Sequence, residues 1–359
     1  MQEISPRPWN RHGLDYAREA TKLGAPPAPI IDAHSHINGP RAASIFAEVM
    51  NLYGIQEVWS MTWVEDVDEV RRALDDRIRL IAVPNFRSTD RRRAFGDDYL
   101  DRIRLYHEQG CRIVKFWAAP RSVDIGEEAG DSTLMRLDHP DRIRAMELAT
   151  DLGMGIMTHI ADPDTWFKVK YADHQRYGTK AQQYDQLEAS LERFPVPWIA
   201  AHMGGWPEDL TFLDGLLDRH PNLHLDTSAT KWMIRELSRH PRQELLAFLE
   251  RHPDRILFGS DIVTSDDNLK PDEEPGDTPT ASSPGEARDL YASRYYALRM
   301  LWESGHHGES PIADPDLCMV DPESHGPNDA PLLDGKAMPA DTLRRVYHDS
   351  ASRFMHALT

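Results

Sequence analysis

Cysteine is scarce: Cys111 and Cys318 are the only two thiols in 359 residues. Two thiols so far apart in a large chain are read as free rather than as a covalent staple. No apolar run approaches the roughly 18 residues that a membrane span needs. The opening MQEISPRPWN is polar and carries no apolar core of a secretory signal, so the expected location is cytoplasmic. Positive charge is in deficit, with 41 Lys and Arg against 59 Asp and Glu and a net charge of −18. A chain so acidic repels polyanions, which excludes nucleic acid and anionic membranes as partners. The basic run Arg91 to Arg93 is too short to alter that and reads as a solvated loop or helix end. No glycine-rich phosphate turn follows the first apolar segment, which counts against an open dinucleotide-binding sheet.

The chain does have ample material for a large core, with 40% apolar and 28% charged residues, the balance of a folded globular protein. Eight short apolar segments recur: PIIDAHSHI (29–37), GIQEVWSMTWV (54–64), RIRLIAVPNF (77–86), GCRIVKFWAA (110–119), MGIMTHIAD (154–162), PWIAAHMGG (197–205), NLHLDTSAT (222–230) and RILFGSDIV (255–263). Several are almost continuously apolar, as parallel strands covered on both faces must be. Helix signals fill the gaps. Residues 41–53 follow Gly39-Pro40, and 66–76 carry apolar Val67, Val70 and Leu74 at helical spacing. Helices over 98–109 and 141–152 each stop at a glycine, Gly110 and Gly153, and Pro207 opens another with Leu210, Leu213, Leu216 and Leu217 on its stripe.

Eight alternations of strand and helix predict an α/β protein of the (β/α)8 TIM-barrel class. The barrel core runs over 29–263 of one domain that spans 1–359. Two regions exceed the minimum. Residues 163–180 extend the loop after strand five. Residues 264–335 form a long acidic insertion, interrupted by a helix over 287–303 whose Tyr291, Tyr295, Leu298 and Trp302 recur at docking spacing. A last docking helix over 339–355 places Leu343, Val346, Tyr347 and Phe354 on one side.

The polar residues at strand ends carry the chemistry. His34 and His36 are two apart on strand one, so they face the same way. His159 ends strand five, His202 strand six and Asp261 strand eight, with Lys115 near the end of strand four. Barrel sites form at the C-terminal ends of strands, which brings these residues to one mouth. Buried imidazoles are costly unless satisfied, and a divalent cation satisfies them. Three imidazoles and a carboxylate suit Zn²⁺ first, with Mn²⁺ or Fe²⁺ also acceptable. Any one of these residues alone would read as a satisfied core histidine or a capping aspartate.

DAHSH, THIAD, AHMGG and FGSD, in that order, resemble the amidohydrolase superfamily. LDTSA and the final LRRVYHDSASRF resemble its amidohydrolase-2 branch, which includes aminocarboxymuconate-semialdehyde decarboxylase and related hydrolases and lactonases. The similarity covers 29–355, least well in the acidic insertion, and Ser350-Ala351 stands where the branch often has Asn-Ala. It implies His34, His36, His159 and Asp261 as ligands of one metal, with His202 as general acid/base and Asp261 as a proton acceptor. In two-metal relatives a strand-four lysine is carboxylated and bridges the ions, so Lys115 implies two ions if it is so modified. Otherwise it pairs with Asp261 or a substrate carboxylate. Dimers are common among relatives, so a homodimer is the assembly the resemblance allows.

The function this implies is metal-dependent hydrolysis of a C–N or C–O bond in a small, carboxylate- or ring-bearing substrate, through a metal-activated water. The alternative is non-oxidative decarboxylation or hydration of an unsaturated or aromatic acid. A non-catalytic binding protein would be expected to lack a ligand position, and none is missing. Trp63, Trp117, Trp166 and Trp206 follow strands two, four, five and six, and either line a substrate pocket or pack loops. Arg87, Arg121 and Arg235 either grip a substrate carboxylate or form surface ion pairs. Tyr177 and Gly178 are lid candidates by position.

Overall fold

A computed structural model describes residues 7–269 and 281–358. The acidic insertion therefore falls partly outside the described residues, at 270–280. The strands, in chain order, are β1 (Ile30–Asn38), β2 (Ile55–Ser60), β3 (Ile78–Ala82), β4 (Ile113–Trp117), β5 (Gly155–His159), β6 (Trp198–Ala200), β7 (Leu223–Asp226), β8 (Ile256–Leu257) and β9 (Ile262–Ser265). Helices Pro40–Tyr53, Val67–Leu74, Asp97–Glu108, Pro140–Asp151, Lys180–Arg193, Leu210–Arg219 and Arg242–Arg251 fall between successive strands. That alternation is the (β/α)8 TIM-barrel class expected from the apolar segments.

The chain divides into two compact units. The first comprises Met1–Ser60, Glu65–Arg79 and Thr227–Ala351. Here β1 pairs in parallel with β2 on one side and β9 on the other. Ile30, Ile31, Ala33 and Ile37 of β1 are all buried, the signature of a strand covered on both faces. The insertion's helix Pro284–Glu303 packs its rings against the helix Pro40–Tyr53: Tyr295 lies 6.1 Å from Phe46 and 6.2 Å from Tyr53 between centroids. Tyr291, Tyr295, Leu298 and Trp302, the stripe read from the sequence, are all buried. Farther on, strands His307–Glu309 and Leu332–Asp334 pair antiparallel.

The eighth apolar segment, expected as one strand over 255–263, is broken. β8 ends at Leu257 and β9 starts at Ile262. Asp261 stands just before β9 with φ of +56°, a left-handed conformation that no strand accommodates. The final helix is likewise not uniform. Ala340–Arg344 and Ser350–His356 flank one wide turn at Arg345–Asp349.

The second unit comprises Met61–Val64, Leu80–Asp226 and Ser352–Thr359. Its strands are parallel in the order β3, β4, β5, β6, β7. The extended loop after β5 holds two short helices, Asp164–Lys168 and His174–Tyr177. Thr179 then caps the helix Lys180–Arg193 reciprocally with Gln182, a sequence-local start signal. After β6 the chain turns through Gly205 at φ of +78°, where an added Cβ would stand 2.1 Å from the Ala161 carbonyl oxygen. Gly205→Ala should therefore cost at least about 3 kcal/mol, combining overpacking with left-handed strain. A urea titration checks this, and an unchanged midpoint would contradict it. Both cysteines are free, as read from their spacing. Among the described residues no helix is long and apolar enough to cross a membrane.

Candidate metal centre

In the first unit β1 delivers His34 and His36 to the same carboxylate. His34 Nε2 lies 3.5 Å and His36 Nε2 3.3 Å from Asp261 Oδ1. Two donors bound to one tetrahedral zinc at about 2.0–2.1 Å stand about 3.3–3.4 Å apart. The spacing and the chemistry of two imidazoles and a carboxylate therefore fit a divalent cation. Asp261 reaches this position because its left-handed backbone is anchored by a hydrogen bond from its N–H to the His34 carbonyl, 2.8 Å long. Aspartate tolerates that conformation better than most residues.

His34 is oriented from behind. Its Nδ1 lies 3.1 Å from Ser228 Oγ, and the backbone passes close at Gly259, where a Cβ would meet His34 Cβ at 3.1 Å and Ser228 Cβ at 2.9 Å. Asp32, fully buried two residues before His34, accepts from four donors. Ser260 N–H and His34 N–H reach Oδ1 at 2.9 and 3.2 Å, and the Ser260 and Tyr295 hydroxyls reach Oδ2 at 2.6 Å each. Burial pushes the Asp32 carboxyl up to about 6 against the pull of these donors.

The second unit carries the other predicted imidazoles. His159 and His202 meet edge to face with ring centroids 4.5 Å apart. His159 Nε2 is 2.9 Å from Asp162 Oδ1, and Tyr171 of the extended loop donates to Asp162 Oδ2 at 2.6 Å. Burial, with the Asp162 carboxylate beside it, holds the Tyr171 phenol protonated. His202 sits at φ of +60° and is only 3% exposed. Its N–H donates to Asp226 Oδ1 at 2.9 Å. Lys115 is buried on β4, in register with Met157 of β5.

Ser228, Asp162 and Asp226 were not among the residues singled out from the sequence. Each lies within a quoted motif, and a buried polar residue at the end of an apolar strand is the signal that could have found them.

The proposed substrate contacts have partners of their own. Arg235, expected to grip a substrate carboxylate or pair at the surface, is instead buried among carboxylates of the first unit. It bonds Asp314 and Glu236, with Asp316 3.2 Å away. Glu236 is its neighbour in sequence, but Asp314 lies 79 positions away, which no local pattern reveals. Arg235→Ala would strand those carboxylates and should destabilise the chain by about 3–5 kcal/mol. Chemical denaturation reads this, and a loss below 1 kcal/mol would contradict it. In the second unit the exposed Arg87 places its guanidinium carbon over the Trp63 ring, 3.2 Å from the ring centre. Lys170 caps Trp166 at 3.4 Å, and Trp117 packs edge-on against Phe86. The Tyr177 hydroxyl donates to Asp124 Oδ1 at 3.0 Å.

The sequence profile of the amidohydrolase family matches residues 60–356. The chain belongs to the amidohydrolase family. The match begins after β1, so membership does not rest on His34 or His36. No curated protein matches. Among solved structures, a Staphylococcus aureus protein assigned to the amidohydrolases is 10% identical, over 91% of this chain and 99% of that one, with a TM-score of 0.50. The 2,6-dihydroxybenzoate decarboxylase from Rhizobium is 16% identical over 82% and 96%, at 0.41. The 5-carboxyvanillate decarboxylase from Novosphingobium aromaticivorans, complexed with manganese, is 11% identical over 99% of both chains, at 0.43. At these identities the likeness concerns the fold alone. As an amidohydrolase-family protein the chain is an enzyme of small molecules.

Proposed function

We propose that this amidohydrolase is a metal-dependent hydrolase cleaving a C–N or C–O bond of a small, carboxylate- or ring-bearing substrate. The observation that carries the reading is the convergence of His34, His36 and Asp261 at cation-ligand spacing. The family resemblance adds His159 as the fourth ligand and gives His202 the role of general acid/base. A bound divalent cation, Zn²⁺ by preference, supplies Lewis-acid polarisation of the carbonyl and lowers the pKa of water. Asp261 then accepts the proton of the attacking water. His202 hands a proton to the departing nitrogen or oxygen. Asp162 orients His159 by its hydrogen bond, as carboxylates behind ligating histidines do. We place the whole chain in one catalytic domain, cytoplasmic and homodimeric, with one ion, or two if Lys115 is carboxylated.

A second reading, non-oxidative decarboxylation, uses the same residues with His202 protonating carbon. The near-complete burial of His202 favours it, because a proton donor shielded from water suits a carbanion. Assay of chelator-treated and metal-restored protein against lactones, esters, cyclic amides and aromatic acids separates the two. Hydrolysis that vanishes with chelator and returns with Zn²⁺ or Mn²⁺ supports the proposal. Release of CO₂ without hydrolysis would assign the second reading instead, and turnover indifferent to metal would overturn both.

A further inference from the structure

The helix Pro284–Glu303 belongs to the insertion, yet one of its side chains does more than fill space. Tyr295 is fully buried, and its ring is held by Phe46, Tyr53 and Phe258. These contacts do not need its hydroxyl. The hydroxyl donates to Asp32 Oδ2 at 2.6 Å, the oxygen that also accepts from Ser260 Oγ. The other oxygen of Asp32 receives the backbone N–H groups of Ser260 and His34. Asp32 therefore ties together two backbone positions: His34 itself and the residue directly before Asp261. These are the positions that set the separation of two members of the cation trio. A carboxylate with no solvent access depends on its protein donors for its position. Loss of one donor of four frees it to shift, and the two backbones it joins shift with it.

We propose that Tyr295 is a positioning residue of the metal centre, acting through Asp32 to hold His34 and Asp261 in register. The inference rests on the reading that His34, His36 and Asp261 hold a cation. It gives the insertion a task in the chemistry: its helix is the outer support of the ligand set. Orienting groups of this kind typically change metal affinity by about 10–100-fold when removed.

The test is Co²⁺ titration of the full chain, followed by visible absorption. Tyr295→Phe should weaken Co²⁺ binding by about 10–100-fold and alter the absorption of the bound ion. Tyr53→Phe is the control. It deletes a buried hydroxyl that bonds the Tyr16 carbonyl in the same aromatic cluster, and should leave affinity within about 3-fold. Asp32→Asn should reproduce the loss, and adding Tyr295→Phe to it should change affinity little further. Equal losses in both tyrosine variants, or additive losses with Asp32→Asn, would overturn the proposal. So would wild-type affinity in Tyr295→Phe, with the metal reading intact. Wild-type protein that takes up no Co²⁺ would overturn the metal reading and this proposal with it.

Discussion

Asp261→Asn is expected to lower turnover by about 10³-fold or more and to weaken the bound cation. Asparagine is the informative replacement because it keeps the size of the side chain and tolerates the left-handed backbone at this position. What it removes is the negative charge between two imidazoles and the capacity to accept a proton. Lewis-acid and proton-acceptor contributions of several kcal/mol are lost together, and each 1.4 kcal/mol is about a factor of ten in rate. Steady-state assay beside metal analysis reads both effects. A variant with a full complement of ion and more than a tenth of wild-type turnover would show that Asp261 is neither ligand nor base.

His202→Asn should separate chemistry from binding. The substitution again preserves a left-handed residue, here at φ of +60°, and leaves the backbone N–H free to donate to Asp226. Removal of a general acid/base lowers rates by about 10²–10⁴-fold. Under the one-ion reading the metal content stays at the wild-type value. Loss of about half the metal would instead indicate that His202 holds a second ion, together with a modified Lys115. Unchanged kcat would remove His202 from the mechanism.

Much of the architecture was legible because burial on both faces leaves a plain mark. Segments such as MGIMTHIAD and PWIAAHMGG are apolar almost throughout, and parallel strands impose that. Helix ends were legible where local chemistry sets them, as at Gly110 and Gly153, whose left-handed φ of +83° and +67° follow the helices Asp97–Glu108 and Pro140–Asp151. The break between β8 and β9 was not. Nothing in RILFGSDIV betrays that Asp261 leaves extended geometry, because the cause is a long-range hydrogen bond to His34, 227 positions earlier. Arg235 was misjudged for the same kind of reason: a charged residue at a strand-seven helix looks exposed until distant carboxylates fold onto it. Tyr295 illustrates the mixed case. Its spacing announced a buried ring, while the partner of its hydroxyl lies 263 positions away. The spacing of His34 and His36 was enough to predict a shared direction. Their common target, a single oxygen of Asp261, is visible only in three dimensions.

The account stands on one claim: that His34, His36 and Asp261 of this amidohydrolase hold one divalent cation between them. Anomalous diffraction from crystals equilibrated with Zn²⁺ tests it most directly. The prediction is one strong peak about 2.0–2.2 Å from His34 Nε2, His36 Nε2 and a carboxylate oxygen of Asp261. A peak that shares none of these three atoms, or protein that crystallises with zinc only at surface histidines, would contradict it.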